Sequence, residues 1–232
     1  RHRMSSLFEL EPHALACDLH PTYLSSQWAR AKASADGRPL VEVQHHHAHI
    51  ASVIAEMAAR GIIGPAEQVL GIALDGTGAG TDGTVWGGEV MIASLSGFTR
   101  MAHLKPWRLP AGMASVRDAR RNAFSLLHSC ELLDHPGARM LVEGLSEAER
   151  AVTATMIERG LNSPLTSSMG RLLDAMAAML GICLNATYEG EPAIKLEAAA
   201  WRALGTDDAR RAHDRADSSD YRFALQEQPV SA

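Results

Sequence analysis

Four histidines fall within five positions, His45, His46, His47 and His49, directly after Leu40-Val41-Glu42-Val43. The leading residues alternate apolar and polar, which predicts a strand. The spacing of Ile50, Val53, Ile54 and Met57 predicts a helix running from the histidines to about Arg60, with those four as its apolar stripe. Gly61 and Gly64-Pro65 end it. At about 100° per residue, His45 and His49 lie roughly 40° apart on one face, above Ser52 and Glu56. His46 falls beside the apolar stripe and His47 points elsewhere, so only the pair four apart is spaced to share a ligand. Imidazoles at that spacing can both reach one metal ion. The residue after His45 is His46 rather than Glu, so the base of a metalloprotease is missing. The competing reading is a solvated or core-satisfied histidine run.

The second informative stretch begins some two dozen residues on. Val69 to Leu74 is the strongest strand pattern in the chain, and Asp75 to Gly83 follows as a glycine-rich turn. Asp75 stands at the carboxyl end of that strand, where α/β sheets gather ligands. It is a candidate oxygen ligand and equally an Asp-Gly turn residue. Glycines 76, 78, 80 and 83 can bring backbone N–H groups close to an anion, or simply make a flexible hairpin. Gly78 to Gly83 reads Gly-x-Gly-x-x-Gly, but it leads into a strand, so it is not the dinucleotide fingerprint. Val85 to Ala93 and Gly97 to Leu104 complete an antiparallel meander.

Around these, 14–19 reads as a short buried strand closed by His20-Pro21, and Thr22 to Ala35 as a helix carrying Leu24, Trp28 and Ala31. The strands near 14–19, 40–43, 69–74, 85–93 and 98–104 are expected to share one mixed sheet, with the histidine helix packed on it. Helices follow over Val116–Cys130, from a capping box at Ser146 and Glu149 to Arg159, over Met169–Leu180, and over Ile194–Leu204. In the third, Leu172, Leu173, Met176 and Met179 are expected to face a core, and Asp174 to be solvated. Cys130 and Cys183 read as packing residues in apolar surroundings. The division is 1–110 with the histidine and glycine motifs, 111–204 helical, and 205–232 a charged tail expected to be mobile.

The 232 residues, 46% hydrophobic, suffice for one large domain or two small ones. A net charge of −5 argues against a nucleic-acid surface, and no apolar run is long enough to cross a membrane. Three cysteines without a Cys-x-x-Cys suit a reduced cytoplasmic setting. Met4 is internal, and the opening reads like the middle of something longer.

Taken in order, Ala16-Cys17-Asp18-Leu19-His20-Pro21, Val43 to Ala51, Ala73-Leu74-Asp75-Gly76-Thr77-Gly78, Trp86-Gly87-Gly88-Glu89, Met169 to Asp174 and Tyr188-Glu189-Gly190-Glu191 resemble the HypF family of hydrogenase-maturation carbamoyltransferases. The likeness runs from about residue 8 to about 200 and is to the family's Kae1-like region. It implies an α/β, actin-like ATPase (ribonuclease H-like) fold, a mixed sheet with flanking helices, incomplete here. It implies a carbamoyl-adenylate made from carbamoyl phosphate and ATP, and carbamoyl transfer to the C-terminal cysteine of a HypE-type acceptor protein. It implies a divalent metal, zinc or iron, on His45, His49 and Asp75. The turn Asp75, Gly76, Thr77 and Gly78 would then face the phosphate or carbamoyl group, and Gly170, Asp174 and Gly190 the nucleotide. The family's region begins with an earlier strand pair and continues into a glycine-glycine turn and a further Asp ligand. It carries Gly-Gly-Asp where this chain has Ala111-Gly112-Met113. A fragment of this kind is expected to expose apolar strand edges and to self-associate. The alternatives are a tRNA threonylcarbamoyl transferase-like protein, disfavoured by the acidic balance and by His46 and His47, and a non-catalytic metal- or partner-binding module.

Overall fold

The computed structural model describes residues 7–9, 11–204, 224 and 226. The charged tail expected over 205–232 therefore lies almost entirely outside the described residues.

The first unit is β1 (Leu15–Asp18), α1 (Leu24–Asp36) and β2 (Leu40–Val43), with β1 and β2 paired in parallel and α1 as the crossover. Gly37, left-handed at φ 63°, ends α1. Gln44 then caps α2 (His45–Ala59), its side chain accepting the His47 N–H. The second unit opens with the meander β3 (Val69–Ala79), β4 (Val85–Ala93) and β5 (Phe98–His103). The short strands β6 (Trp107–Arg108) and β7 (Leu165–Thr166) extend it, β7 lying parallel to β4 and antiparallel to β6. Between and after them come α3 (Met113–Arg117), α4 (Ala119–Ser129), α5 (Arg139–Glu143), α6 (Glu147–Arg159), α7 (Met169–Met179) and α8 (Glu191–Leu204). Ser146 and Glu149 form the expected capping box on α6, and Ser168 caps α7.

The single shared sheet expected from the sequence is not what forms. β1 and β2 make their own two-stranded parallel sheet, and β3 to β7 make a five-stranded mixed sheet. The reason is α2. Its 15 residues leave the end of β2 and pack along β3 and β4, burying Ile50 and Ile54 with Ala73, Trp86, Met91 and Ala93. The two sheets are thus joined through a helix about 22 Å long and not through a backbone ladder. Mixed sheet and flanking helices stand as expected.

One apolar stripe faces the wrong way for the sequence reading, and a second is covered except at one residue. In α1, Leu24 and Trp28 are exposed, and the buried side is Ser26, Ala29 and Ala33. In α2, Val53 is exposed while Ile50 and Ile54 are covered. α7 behaves similarly. Met176 is exposed, and the face against α4 is Ala175 and Ala178 meeting Ala119 and Ala123, all at most 1% exposed. Methyl side chains let the two helices approach closely, so the larger residues are left at the margins. A break at Asp118 divides the expected 116–130 helix into α3 and α4, where Asp118 bridges to Asn185. Cys183 is buried as expected, but Cys130, at the end of α4, is exposed. Ala111 takes a left-handed φ of 63° and Gly112 one of 50°. Along the outer strand β3, Leu70, Ile72 and Leu74 are each more than 60% exposed.

Candidate metal centre

β3 does not stop at Leu74. It continues to Ala79 through a bulge in which Asp75, Gly76 and Thr77 stand opposite Gly87 alone, since Leu74 pairs with Gly88 and Gly78 with Trp86. The hairpin turn lies later, closed by the Gly80 N–H donating to the Thr84 carbonyl. Extra residues on one strand bend it and re-aim side chains. Here the bend carries the Asp75 carboxylate to the start of α2.

Three donor atoms converge there. His45 Nε2 lies 3.1 Å from Asp75 Oδ2 and 3.2 Å from His49 Nε2, and His49 Nε2 lies 3.7 Å from Asp75 Oδ2. A tetrahedral ion with bonds near 2.0–2.2 Å requires its ligand atoms to stand roughly 3.3–3.6 Å apart. The donor separations bracket that range to within about 0.2 Å, and the two-imidazole, one-carboxylate chemistry suits a divalent ion of the zinc or iron type.

Asp18, at the end of β1, was not singled out as a site residue in the sequence, although it lies inside one of the matching motifs. Its Oδ2 accepts from His45 Nδ1 at 2.7 Å, and its Oδ1 from the His20 N–H at 2.7 Å. A carboxylate on Nδ1 orients an imidazole and leaves the Nε2 lone pair free for a cation. No sequence spacing announces a partner 27 residues away; only the parallel pairing of β1 with β2 brings it alongside. Tyr23, stacked on His20, has its phenol pushed up by burial and by the charges of Asp18, Asp75 and Glu189. The mouth of the site is therefore acidic, which favours a cation.

The other histidines divide. His47 is turned away, as expected, with Nε2 on the Ser94 carbonyl at 2.8 Å. His46 is not turned away. It is fully buried, and its Nε2 lies 3.6 Å from Asp75 Oδ2, as near as that of His49. It is buried beside the apolar stripe, as the helix wheel has it, and it also reaches Asp75 because β3, with its bulge, wraps around the start of α2. Burial depresses the His46 imidazole below its ordinary range, with Asp75 acting in the opposite direction. Gly78 makes this packing feasible. A Cβ there would stand 2.5 Å from His46 Cε1 and 2.7 Å from His45 Cδ2. Trp86 flanks the site, its ring 6.1 Å from that of His46, with the Arg100 guanidinium 3.9 Å from its own centroid.

From the far side, α7 begins against the same bulge. Ser168 Oγ donates to the Gly76 carbonyl, and a Cβ on Gly170 would stand 2.7 Å from Gly76 Cα. The Gly76 N–H donates to Asp75 Oδ1, and Arg171 and Glu189 border the space beside the Gly76 Cα. Asp174 is not solvated as the sequence reading has it: it is 1% exposed and paired with the equally buried Arg171 at 3.1 Å. Burial pushes its carboxyl up to about 6, against the opposing pull of Arg171. Gly190, at φ 82°, lies on the loop that leads into α8, beyond Glu189. Thr77 falls within the bulge.

Two matches decide the family. The HypF Kae1-like domain matches residues 1–56, and the second subdomain of the carbamoyltransferase Kae1-like domain matches residues 71–229. The chain belongs to the HypF carbamoyltransferase family. The carbamoyltransferase HypF of Rhodobacter capsulatus is 42% identical over 84% of this chain and 26% of its own length. A HypF homolog from Cupriavidus necator is 44% identical over 81% of this chain and 46% of its own length. Among solved structures, full-length HypF in a phosphate- and nucleotide-bound form matches at a TM-score of 0.74 and 38% identity. It covers 84% of this chain and 29% of that one. The crystal structure of T. kodakarensis HypF matches at a TM-score of 0.69 and 37% identity, over 83% of this chain and 25% of that one. The chain thus spans between about a quarter and a half of the HypF relatives it matches. Among its described residues, no helix is long and apolar enough to cross a membrane.

Proposed function

We propose that this chain forms the metal-holding part of a HypF-type carbamoyl transfer site. The observation that carries the reading is the convergence of the donor triple His45, His49 and Asp75 at separations of 3.1–3.7 Å, with His45 held by Asp18. In the reaction, the carbamoyl group of a carbamoyl-adenylate, formed from carbamoyl phosphate and ATP, passes to the C-terminal cysteine of a HypE-type acceptor. A carbon–sulfur bond forms, the carbon–oxygen bond to the adenylate phosphate breaks, AMP leaves, and the thiol proton is released to solvent. A bound zinc or iron ion supplies Lewis-acid polarisation of the carbamoyl or phosphoryl oxygen.

The chain's own residues supply the rest. Asp18 holds the proton on His45 Nδ1, so Nε2 is offered as a lone pair. Asp75 is braced by the Gly76 N–H on Oδ1, which leaves Oδ2 toward the imidazoles. The segment Asp75 to Gly78 borders the carbamoyl phosphate moiety, while Gly170, Asp174 and Gly190 stand on the nucleotide side. The phosphate- and nucleotide-bound HypF relative supports that side of the reading. The reading also puts the chain in the cytoplasm, where acceptor thiols stay reduced.

Calorimetric titration with Zn²⁺ and Fe²⁺ tests the centre. His49→Ala should lose the ion and His47→Ala should keep it; equal loss from both variants would sink the built site. Incubation with carbamoyl-adenylate and a thiol acceptor then tests transfer. A chain that holds the ion but carbamoylates no thiol is a binding module.

A further inference from the structure

His46 has no part in the donor triple, yet it is the most deeply enclosed imidazole of the four, and it faces Asp75. Its role follows from the protons of Gln44. Gln44 is itself buried, and its amide has three neighbours. Oε1 accepts from the His47 peptide N–H at 2.8 Å, and Nε2 donates to the Ala79 carbonyl at 2.9 Å. A peptide N–H can only donate and a carbonyl can only accept, so the orientation of the amide is settled from both ends. The second Nε2 hydrogen points at His46 Nδ1, 3.2 Å away. Nδ1 must therefore be an acceptor, and the ring proton sits on Nε2.

That N–H is buried and has no hydrogen-bond partner. The acceptor it faces is Asp75 Oδ2 at 3.6 Å. The gap exceeds a hydrogen bond by about half an ångström, which a rotation of the partly exposed carboxylate can close. His45 is arranged in the opposite sense, protonated on Nδ1 by its contact with Asp18 and bare on Nε2. Two adjacent histidines are thus held in opposite tautomers, one offering a lone pair to the centre and the other a proton.

We propose that His46 is a positioning residue: locked by Gln44 as the Nε2–H tautomer, it holds the Asp75 carboxylate where the ion shared with His45 and His49 requires it. The metal half of this inference rests on the metal reading above. The tautomer and its contact with Asp75 do not.

Long-range proton–nitrogen correlation spectra of the full chain without metal read the tautomer directly. Wild type should show His46 protonated on Nε2, and Asp75→Asn should shift that nitrogen. A ring protonated on Nδ1, or one indifferent to Asp75→Asn, overturns the inference. Zn²⁺ titration of two variants supplies the second arm. His46→Phe keeps a ring without a proton and should weaken binding about 10–100-fold at unchanged stoichiometry, the usual effect of losing a group that orients a ligand. His46→Gln puts an amide N–H near the Nε2 position and should restore most of that loss. Undiminished binding by His46→Phe, or no rescue by His46→Gln, overturns the inference. If wild type takes up no ion, the metal reading falls, and the spectra alone decide whether His46 is locked onto Asp75.

Discussion

Two helices start against the same bulge in β3, and they treat their buried charge differently. α2 brings imidazoles that each meet a partner on one nitrogen: His45 has Asp18, His47 has the Ser94 carbonyl, and His46 has Gln44. α7 brings Arg171 and Asp174, both at most 2% exposed, and leaves Arg171 Nε and Nη1 and both Asp174 oxygens without a hydrogen bond. The two side chains meet at 3.1 Å, close enough for attraction but without a well-directed bond. The lesson is that a buried ring can be ordered by several directional contacts, whereas a buried ion pair depends almost entirely on its mate. The first side is ordered by many small contacts and the second by one large one.

That contrast is broken most severely at Arg171. Arg171→Met should destabilise the chain by about 3–5 kcal/mol, because Asp174 is left buried and unpaired. Adding Asp174→Leu should recover most of the loss, and urea unfolding midpoints of the single and double variants check both statements. A smaller effect is expected across the bulge. Gly78→Ala drives a methyl into the rings of His45 and His46 and should cost about 1–3 kcal/mol by overpacking. It should also lose Zn²⁺ in calorimetry, whereas Arg171→Met should retain it where folded. The mildest test varies pH. Asp174 has its carboxyl raised from 3.8 to about 6 in the folded chain. Its protonated form is the one the fold favours, so its contribution is fully present below the ordinary carboxylate range and is lost as pH rises through about 6. Unfolding free energies should fall as pH rises from about 4 and level off above about 6, and the Arg171→Met, Asp174→Leu double variant should lose this component.

These comparisons also mark what the sequence made legible. His45 and His49 could be paired from their spacing alone, because one helical turn is a local distance. Asp75 followed from its place at the end of an apolar run, even though that run continues as a bulged strand and not as a turn. Asp18 and the tautomer of His46 depend on chain segments 27 and 35 residues away, and no local pattern encodes them. The helices were visible from periodicity and caps. Which stripe would be covered was legible in α2, where Ile50 and Ile54 are buried, but not in α1, since Leu24 and Trp28 satisfy the spacing there as well as any core residues do. Packing chose the alanine faces, and it did so through close helix approach, which no count of apolar residues reveals. The pairing of β1 and β2 in a sheet of their own was hidden for a related reason: strand patterns do not say that a helix will join two sheets.

Trp86 gives this architecture an optical consequence. The indole is buried between the Arg100 guanidinium and the neighbourhood of His46 and Phe98, while Trp28 and Trp201 lie in contact with solvent. Indole emission responds to charge held near the ring, so a fluorophore is already installed beside the imidazole cluster. It shares a shielded environment with Trp107, which is also buried, and both differ from the two surface indoles; a Trp107→Phe variant would leave Trp86 as the shielded indole. In that variant the centre can be followed by its own light, without a label and without waiting for turnover.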